Sequence, residues 1–337
     1  MDCECTENPR IKNFYMIMEQ SPYISVVMPV YNGQKFIKEA VESILEQTFN
    51  DFELIIVNDG SIDKTGEIIK FFSERDNRVR VFTNAKNIGC YQSRNIGLAT
   101  AQGKFIAVMD SDDISVANRF ELQLKFMEEN PSVGVVGGNA KIIDENGQYK
   151  FTTNMPKADK LIRWQLCFSN PFIHPSVLMR KEIVKQLNGY NTYMVAQDYD
   201  LIERMTDVTK LANLPEVLVL YRQHGDNLTA LPYEVRAEVR DDIRQRAIQK
   251  NLTSNKNINW NKYWNDPFYS AKVIYALFES FKKDATKCET KYIRRDAGKK
   301  IYKKAMAVNR NKIKEKILIY FLAFYLNPRL IKERLGI

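Results

Sequence analysis

The chain has 337 residues, of which 45% are hydrophobic and 27% are charged, and its formal net charge is +9. This is the composition of an ordinary globular protein, and the length suits two domains or one domain with an appendage. The five cysteines form no paired framework, which indicates a reduced, cytosolic compartment rather than a disulfide-linked secreted domain. Neither an apolar run of about 18 residues nor a basic segment leading into a long apolar run is present, so no transmembrane helix and no secretory signal are expected.

Strands and helices are predicted to alternate over the first third of the chain. Short apolar runs predict strands at 24–28, 52–57, 79–82 and 105–109, the first of them stopped by Pro29. Apolar residues at helical spacing predict helices at 36–49, around 68–72 and at 92–101. This alternation indicates right-handed crossovers and an α/β fold with a parallel sheet.

Polar clusters follow three of the predicted strands: "PVYN", "NDGS" and "DSDD". Each cluster by itself is explained by a solvated turn or by an Asx turn that caps the next helix. In an open α/β sheet, however, ligands bind outside the carboxyl ends of the strands. Three clusters at one edge of the sheet therefore favour a ligand site.

The residue types in these clusters narrow the kind of ligand. No Gly-x-Gly-x-x-Gly follows the first strand, and no phosphate-cradling Gly-x-x-x-x-Gly-Lys-Ser/Thr occurs, so a dinucleotide site is poorly supported. The carboxylates of Asp110, Asp112 and Asp113 repel one another and resist burial unless a cation compensates them. An Asp-x-Asp that carries Mg²⁺ or Mn²⁺ together with a nucleotide-sugar fits this chemistry.

Five motifs in order resemble those of family 2 glycosyltransferases of the inverting, bacterial polysaccharide type: "ISVVMPVYNG", "LIIVNDGSIDKT", "NIGCYQSRNIGLATAQGKFIAVMDSDD", "AQDYDL" and "YRQH". The resemblance covers residues 23–230 and implies the GT-A fold, a Rossmann-like and mostly parallel sheet flanked by helices. It implies a nucleotide-binding part at 23–113 and an acceptor part at 114–230. Residues 1–22 are expected to form a polar tail, and residues 231–337 a basic helical region.

The same resemblance implies roles for individual residues. Pro29, Val30 and Tyr31 would line the nucleoside pocket, and Asp59 would accept a hydrogen bond from a pyrimidine ring N–H. Asp110 would hold the ribose, Asp112 the Mn²⁺ or Mg²⁺ ion, and Asp198 would be the general base. Further residues are assigned to nucleotide binding: Asn32, Gly89, Arg94 and Ser111.

Several of these residues have a second interpretation. Asp198 is also suited to the N-cap or first turn of a helix, where the helix dipole keeps a carboxylate ionised, as a base requires. Gln197 stands where the family often has Glu. The amide keeps its hydrogen-bonding capacity but has no charge, which affects contacts with the acceptor rather than the base. Arg94 meets either a phosphate or a neighbouring acid.

The two histidines are assigned differently. His224 resembles the histidine of the family's late Arg-x-His motif, and an imidazole can complete a Mn²⁺ shell or donate to a diphosphate oxygen. His174, in "NPFIHPSV", either faces the acceptor cleft or is a hydrogen-bonded structural residue.

We therefore expect an inverting glycosyltransferase that uses a nucleotide-sugar, with UDP as the default by family frequency, and a glycan or lipid-linked acceptor. One alternative is a metal-dependent nucleotidyltransferase, although "PVYNGQKF" lacks the Gly-rich basic loop of such enzymes. The other is a nucleic-acid-binding protein that uses the basic C-terminal helices. No nucleic-acid motif is present, and no nucleic acid is expected as a partner.

The net positive charge of the protein comes from its C-terminal region. Residues 231–337 contain 25 Lys and Arg against 11 Asp and Glu, whereas acidic residues outnumber basic ones in the rest of the chain. Within it, 317–326 is a run of ten apolar residues with basic residues on both sides. A helix of that length rises about 15 Å, half of what is needed to cross a bilayer. It either packs onto the catalytic domain or lies on an anionic membrane surface. We expect the membrane surface, and hence a peripheral protein of the cytoplasmic face.

Overall fold

The structure is a computed structural model that describes residues 21–193, 195–225, 233–253, 257–308 and 313–330. It divides into two compact units. The first contains the described residues from 21 to Met155 and from Phe172 to Gly225, and the second contains Pro156–Pro171 and the described residues from Tyr233 onward. In this division 156–171 groups with the C-terminal helices, whereas the predicted bounds place it in the domain at 23–230. Most of the predicted tail, residues 1–20, lies outside the described residues.

The first unit is built on a nine-stranded sheet with the order β3-β2-β1-β4-β8-β6-β9-β5, in which β7 pairs with β6. Its strands are β1 (Ile24–Val30), β2 (Phe52–Asn58), β3 (Val79–Thr83), β4 (Phe105–Val108), β5 (Ile114–Ser115), β6 (Val133–Asp144), β7 (Tyr149–Thr152), β8 (Leu178–Arg180) and β9 (Lys210–Gln223). Its helices are α1 (Ile37–Leu45), α2 (Thr65–Ser73), α3 (Cys90–Thr100), α4 (Arg119–Glu129), α6 (Lys181–Gln186) and α7 (Gln197–Met205).

The four strands β3, β2, β1 and β4 are all parallel, as the alternation of strands and helices predicts. Every residue of β1 and β2 is buried, as is typical of parallel strands that are covered on both faces. Pro29 does not stop β1, contrary to the prediction. The pairing of β1 with β4 ends at Val27 and Val108, so Pro29 needs no N–H on that side and continues alongside β2 opposite Val57.

The other half of the sheet is mixed. β8 runs antiparallel to both β4 and β6, and β5 runs antiparallel to β9, whereas β6 and β9 are parallel. The predicted α/β fold, a sheet flanked by helices, is confirmed, but hydrophobic periodicity did not reveal these antiparallel partners. Periodicity identifies a strand and its buried faces, not the strand beside it.

The second unit is helical, with α5 (Asp159–Leu166), α8 (Tyr233–Asn251), α9 (Trp260–Asn265), α10 (Pro267–Lys282), α11 (Lys287–Met306) and α12 (Ile313–Leu326). Trp164 of α5 is fully buried in its core, and its indole N–H donates to Asp296 Oδ2 at 2.7 Å. This contact shows why α5 belongs with helices more than a hundred residues later in the chain. A capping box of Thr286 and Glu289 starts α11.

The length and composition of the helices bear on whether one of them could cross a membrane. Within the described ranges, no helix combines the length and the apolar content that crossing a membrane requires.

Candidate active site

The first two polar clusters are joined by hydrogen bonds at the carboxyl ends of β1 and β2. The amide of Asp59 donates to the carbonyl oxygen of Val30 at 2.8 Å. Asn32 has a left-handed backbone (φ 49°) and exchanges bonds with the second cluster: its amide donates to Ser61 Oγ (2.9 Å), and its Oδ1 accepts from the amide of Ile62 (3.0 Å). The two strand ends thus form one rigid edge.

Asp59 anchors the loop that leads into α3. Its carboxylate is buried and accepts from the amides of Ile88 (2.9 Å) and Gly89 (2.8 Å) and from Asn84 Nδ2 (2.8 Å). Gly89, at φ 101°, adopts a conformation that other residues rarely tolerate. Since a carboxylate offers about four acceptor positions, Asp59 keeps capacity for one more donor. Its role toward a nucleobase stays a prediction.

The residues predicted to line the nucleoside pocket differ in exposure. Pro29 and Val30 are buried, whereas Tyr31 is 47% exposed and presents its ring at the strand end. The third cluster reaches the same place, because a Cβ atom on Gly33 would lie 3.7 Å from Ser111 Oγ and only 2.6 Å from Val30 Cγ2. Gly33 therefore lies close to Ser111 of the third cluster, and its missing side chain leaves room for Val30.

Arg94 of α3 links the third cluster to helix α7. Its Nη2 lies 2.6 Å from Asp110 Oδ1, and its Nη1 lies 3.2 Å from Gln197 Oε1. The side chain is buried, and although burial opposes its charge, the neighbouring Cys90 and Asp110 raise the pKa of Arg94 above its ordinary value. Of the two interpretations of Arg94, the pairing with an acid is present in the structure.

Asp112 and His224 form the second pair in this region. His224 Nε2 lies 2.9 Å from Asp112 Oδ2, and the Phe36 ring packs 5.0 Å from the imidazole, centroid to centroid. Burial and the neighbouring charge of Asp110 raise the pKa of Asp112, while His224 acts to lower it. A positive charge at this position would therefore relieve a real electrostatic cost.

Asp113 and Arg222 hold the acidic loop in place. Asp113 is 1% exposed, and its Oδ1 accepts from the amide of Arg222 at 2.7 Å. Arg222 Nε donates to the Asp112 carbonyl oxygen at 3.0 Å, and its Nη2 pairs with Glu39 at 2.5 Å. Burial, and then the charges of Asp112 and Asp110, raise the pKa of Asp113 well above its usual range. No role for Asp113 could be assigned from the sequence, and the only sequence signal for Arg222 was the second position of "YRQH".

The residues fit a divalent cation that is shared with a substrate. Among the described residues, no group of three or more His, Cys, Asp and Glu side chains could hold a metal alone. Asp112 and His224 supply a carboxylate and an imidazole, both ligands that Mn²⁺ accepts. Diphosphate oxygens and water would supply the other ligands, which is how Mg²⁺ is usually held beside phosphates.

Asp198 is the second residue of α7, and the N-cap position belongs to Ala196, which has a left-handed backbone (φ 56°). The N-cap interpretation of Asp198 is therefore wrong, while the first-turn interpretation holds. The half-buried carboxylate lies where the helix dipole favours a negative charge. Asp198 thus lies in the first turn, beside the positive end of the helix dipole.

His174 and Tyr190 form a neutral pair near Asp198. The Tyr190 hydroxyl lies 3.1 Å from His174 Nε2. Burial, and then the positive Arg94, lower the pKa of His174 to about 4, and burial raises that of Tyr190, whose phenol therefore stays protonated. The negative charge of Asp198 raises the pKa of both groups, which places it in their vicinity. Of the two interpretations of His174, the hydrogen-bonded residue is the one present in the structure.

Sequence relatives define the class of protein to which this fold belongs. Residues 25–187 match the family model "Glycosyl transferase family 2". The O-antigen biosynthesis glycosyltransferase WbnJ of Escherichia coli is 34% identical over 217 residues, which cover 62% of this chain and 84% of WbnJ. The chain belongs to glycosyl transferase family 2, as its motifs predict.

Solved structures identify the fold as GT-A. The crystal structure of residues 1–349 of S. aureus TarS in complex with UDP-GlcNAc has a TM-score of 0.58 at 18% identity, and the match covers 93% of this chain and 92% of that one. The mannosyltransferase PcManGT from Pyrobaculum calidifontis, in complex with GDP-Man and Mn²⁺, has a TM-score of 0.52 at 14% identity, with 96% and 93% covered. The predicted GT-A architecture is thereby confirmed.

Proposed function

We propose that this glycosyltransferase moves a sugar from a nucleotide-sugar, with UDP as the nucleotide, to a hydroxyl group of a glycan or lipid-linked acceptor, with inversion at the anomeric carbon. The observation that carries the proposal is a continuous chain of contacts. It runs from the acidic loop through Asp110 and Arg94 to Gln197, the residue directly before Asp198. These contacts connect the loop that would bind the cation with a carboxylate suited to be a base.

The donor would bind along the edge formed by the strand ends. Tyr31 offers an exposed ring for the nucleobase, and the remaining acceptor position of Asp59 suits a pyrimidine N–H. Asp110 keeps its second carboxylate oxygen for the ribose hydroxyls while Oδ1 pairs with Arg94. Asn32, Gly89 and Ser111 would complete this site. The UDP-GlcNAc in the TarS complex supports the choice of nucleotide.

The cation would be held by Asp112 and His224. When bound, Mn²⁺ or Mg²⁺ supplies positive charge to the diphosphate of the leaving nucleotide. The Mn²⁺ in the PcManGT complex supports this part of the proposal. Arg222 and Asp113 keep the main chain of the acidic loop in position, so that the Asp112 carboxylate needs little reorganisation when the donor binds.

Asp198 would act as the general base. The carboxylate takes the proton of the acceptor hydroxyl, whose oxygen attacks the anomeric carbon from the face opposite the nucleotide. The bond from that carbon to the diphosphate oxygen breaks, and its electron pair leaves with the nucleoside diphosphate. His174 is neutral at ordinary pH and does not compete with Asp198 as a charged group. One displacement gives inversion without a covalent intermediate.

We place this activity in the synthesis of a cell-surface polysaccharide, at the cytoplasmic face of a membrane. The name of WbnJ, an O-antigen biosynthesis enzyme, supports the polysaccharide. The lack of a paired cysteine framework supports a reducing compartment.

A thermal-shift panel followed by product analysis tests the proposal. The melting temperature is measured with UDP, GDP and dTDP, each with and without Mn²⁺, because a ligand that binds the folded state raises it. We expect the largest shift with UDP and Mn²⁺, and release of UDP from a UDP-sugar when an acceptor is present. No shift with any nucleotide, or a product of retained anomeric configuration, would contradict the proposal.

A further inference from the structure

Helix α12 is apolar on all sides in sequence but buried on only one side in the structure. Ile319, Ala323 and Leu326 are buried in the core of the helical unit. Four large apolar residues of the same helix are exposed: Ile317 (48%), Leu318 (53%), Phe321 (69%) and Tyr325 (64%). The core therefore accounts for one face of α12 and leaves the opposite face unexplained.

These four residues form a continuous row, which we call the α12 stripe. Residues four apart lie above one another on a helix, so Ile317, Phe321 and Tyr325 align along about 12 Å of the helix axis, with Leu318 beside them. Single exposed apolar residues are common on protein surfaces, but contiguous ones indicate a binding surface.

Cationic groups surround the α12 stripe. Lys314 is exposed near the start of the same face, four residues before Leu318, and Arg329 is exposed just after the helix. From α11, the exposed Arg294 donates to the Tyr325 carbonyl oxygen at 2.8 Å, and its guanidinium lies 5.3 Å from the centre of the Tyr325 ring. Glu315 is the one acidic residue in 313–330. The predicted flanking cations Lys312, Lys332 and Arg334 lie outside the described residues.

We propose that the α12 stripe docks the protein on an anionic lipid surface, with its apolar side chains in the interface and the neighbouring cations at the lipid headgroups. An amphipathic helix with aromatic and Leu side chains on one face and basic residues beside them binds a membrane in this way. The helix rises about 21 Å, too little to cross a hydrocarbon core of about 30 Å. It lies along the surface.

A second copy of the chain fits the stripe less well. A specific protein interface uses about 20–30 residues from each partner, and its centre is depleted of charge. The α12 stripe has four apolar residues within a region that carries 25 basic against 11 acidic residues, so two copies would bring like charges together. Anionic headgroups neutralise that charge.

Vesicle flotation of the full chain tests the proposal. The protein is mixed with vesicles of phosphatidylcholine alone, or with about a quarter phosphatidylglycerol, at roughly 50 mM and roughly 500 mM NaCl, because salt screens surface charge. The double variant Phe321→Ser/Tyr325→Ser removes two of the most exposed side chains of the stripe. The matched control is Tyr149→Ser/Phe151→Ser on β7, where the same two residue types are 61% and 50% exposed.

The wild type and the β7 control should float with anionic vesicles at low salt, and the floated fraction should fall at high salt. The stripe variant should float about tenfold less at an unchanged melting temperature, because it loses apolar surface without touching the core. Equal flotation of both variants, or equal binding of the wild type to uncharged and anionic vesicles, would overturn the proposal. So would an oligomer that the wild type and the β7 control form but the stripe variant does not. The α12 stripe contains none of the proposed donor-site residues, so nucleotide-induced thermal shifts report separately on the proposed function.

Discussion

Arg94 and Asp110 form an ion pair, with 2.6 Å between Nη2 and Oδ1, inside the candidate active site. The same guanidinium reaches Gln197, one residue before Asp198, through its other terminal nitrogen. A planar guanidinium directs its N–H donors at two partners in a fixed geometry, whereas the donors of an ammonium group rotate on a flexible stem. Arg94 is thus the physical link between the acidic loop and helix α7.

Replacement of Arg94 by Lys should keep a positive charge but lose this two-sided geometry. We expect kcat to fall by about 10–100-fold, because a small misplacement of catalytic groups is enough to lower the rate that strongly. The exposed Arg75, replaced by Lys, is the control. Steady-state kinetics and melting temperatures of both variants test this expectation. A wild-type kcat in Arg94→Lys would show that the link has no catalytic role.

Asp112→Asn tests the cation. The amide has the same shape, so the fold should persist, but the variant loses a negative ligand and most of the transferase activity. Isothermal titration should show UDP binding that no longer responds to Mn²⁺, while the exposed Asp51, changed to Asn, serves as the control. Full activity of Asp112→Asn, or of the wild type in excess chelator, would contradict the assignment.

Asp198→Asn tests the base. Nucleotide affinity should stay close to that of the wild type while turnover falls by roughly 10²–10⁴-fold, the usual contribution of a positioned acid or base. The variant Gln197→Glu distinguishes the role of Asp198 from that of its neighbour. It should preserve the base and alter mainly the contact between residue 197 and Arg94. If affinity and turnover of Asp198→Asn decline together with the melting temperature, the residue serves the helix instead.

Asp59→Asn should weaken the fold and the donor site together. The amide group would direct N–H donors at the amides of Ile88 or Gly89, both of which now donate to the carboxylate. Losing a hydrogen bond to a buried charged group costs about 1.5–3 kcal/mol, so the free energy of unfolding should drop by at least that amount in urea denaturation. A variant of unchanged stability would mean that the loop before α3 is held by other contacts.

His174 should make the protein less stable in acid. Its pKa is lowered to about 4, against about 6.5 in an unfolded chain. Between these values the unfolded chain binds a proton that the folded chain does not, so the free energy of unfolding falls as the pH falls from about 6.5 to 4. The free-energy equivalent of this lowered pKa is about 3–4 kcal/mol, and it is an upper limit for the loss because the residue is only half-buried. Melting temperatures against pH should decline less steeply in His174→Gln, and identical slopes would assign the acid sensitivity elsewhere.

The family, the parallel half of the sheet and the position of the polar clusters follow from the amino-acid sequence alone. Apolar runs such as 52–57 mark buried strands, and the polar residues that follow them must lie at one edge of a parallel sheet, because each crossover returns the chain in the same direction. Asp59, Asp110 and Asp112 could therefore be placed at a common edge without coordinates.

The hydrogen-bond partners of these residues depend on the three-dimensional fold. The bonds from the Gly89 amide to Asp59, from Arg94 to Gln197 and from Arg222 to the Asp112 carbonyl oxygen join positions 30 to 110 residues apart, and no local spacing encodes them. The same holds for the antiparallel β8 and for 156–171, whose helix α5 packs with the C-terminal helices. The sequence of α12 is apolar on all sides, so it could not show which face of the helix is exposed. The exposed face depends on the elements that pack against the helix.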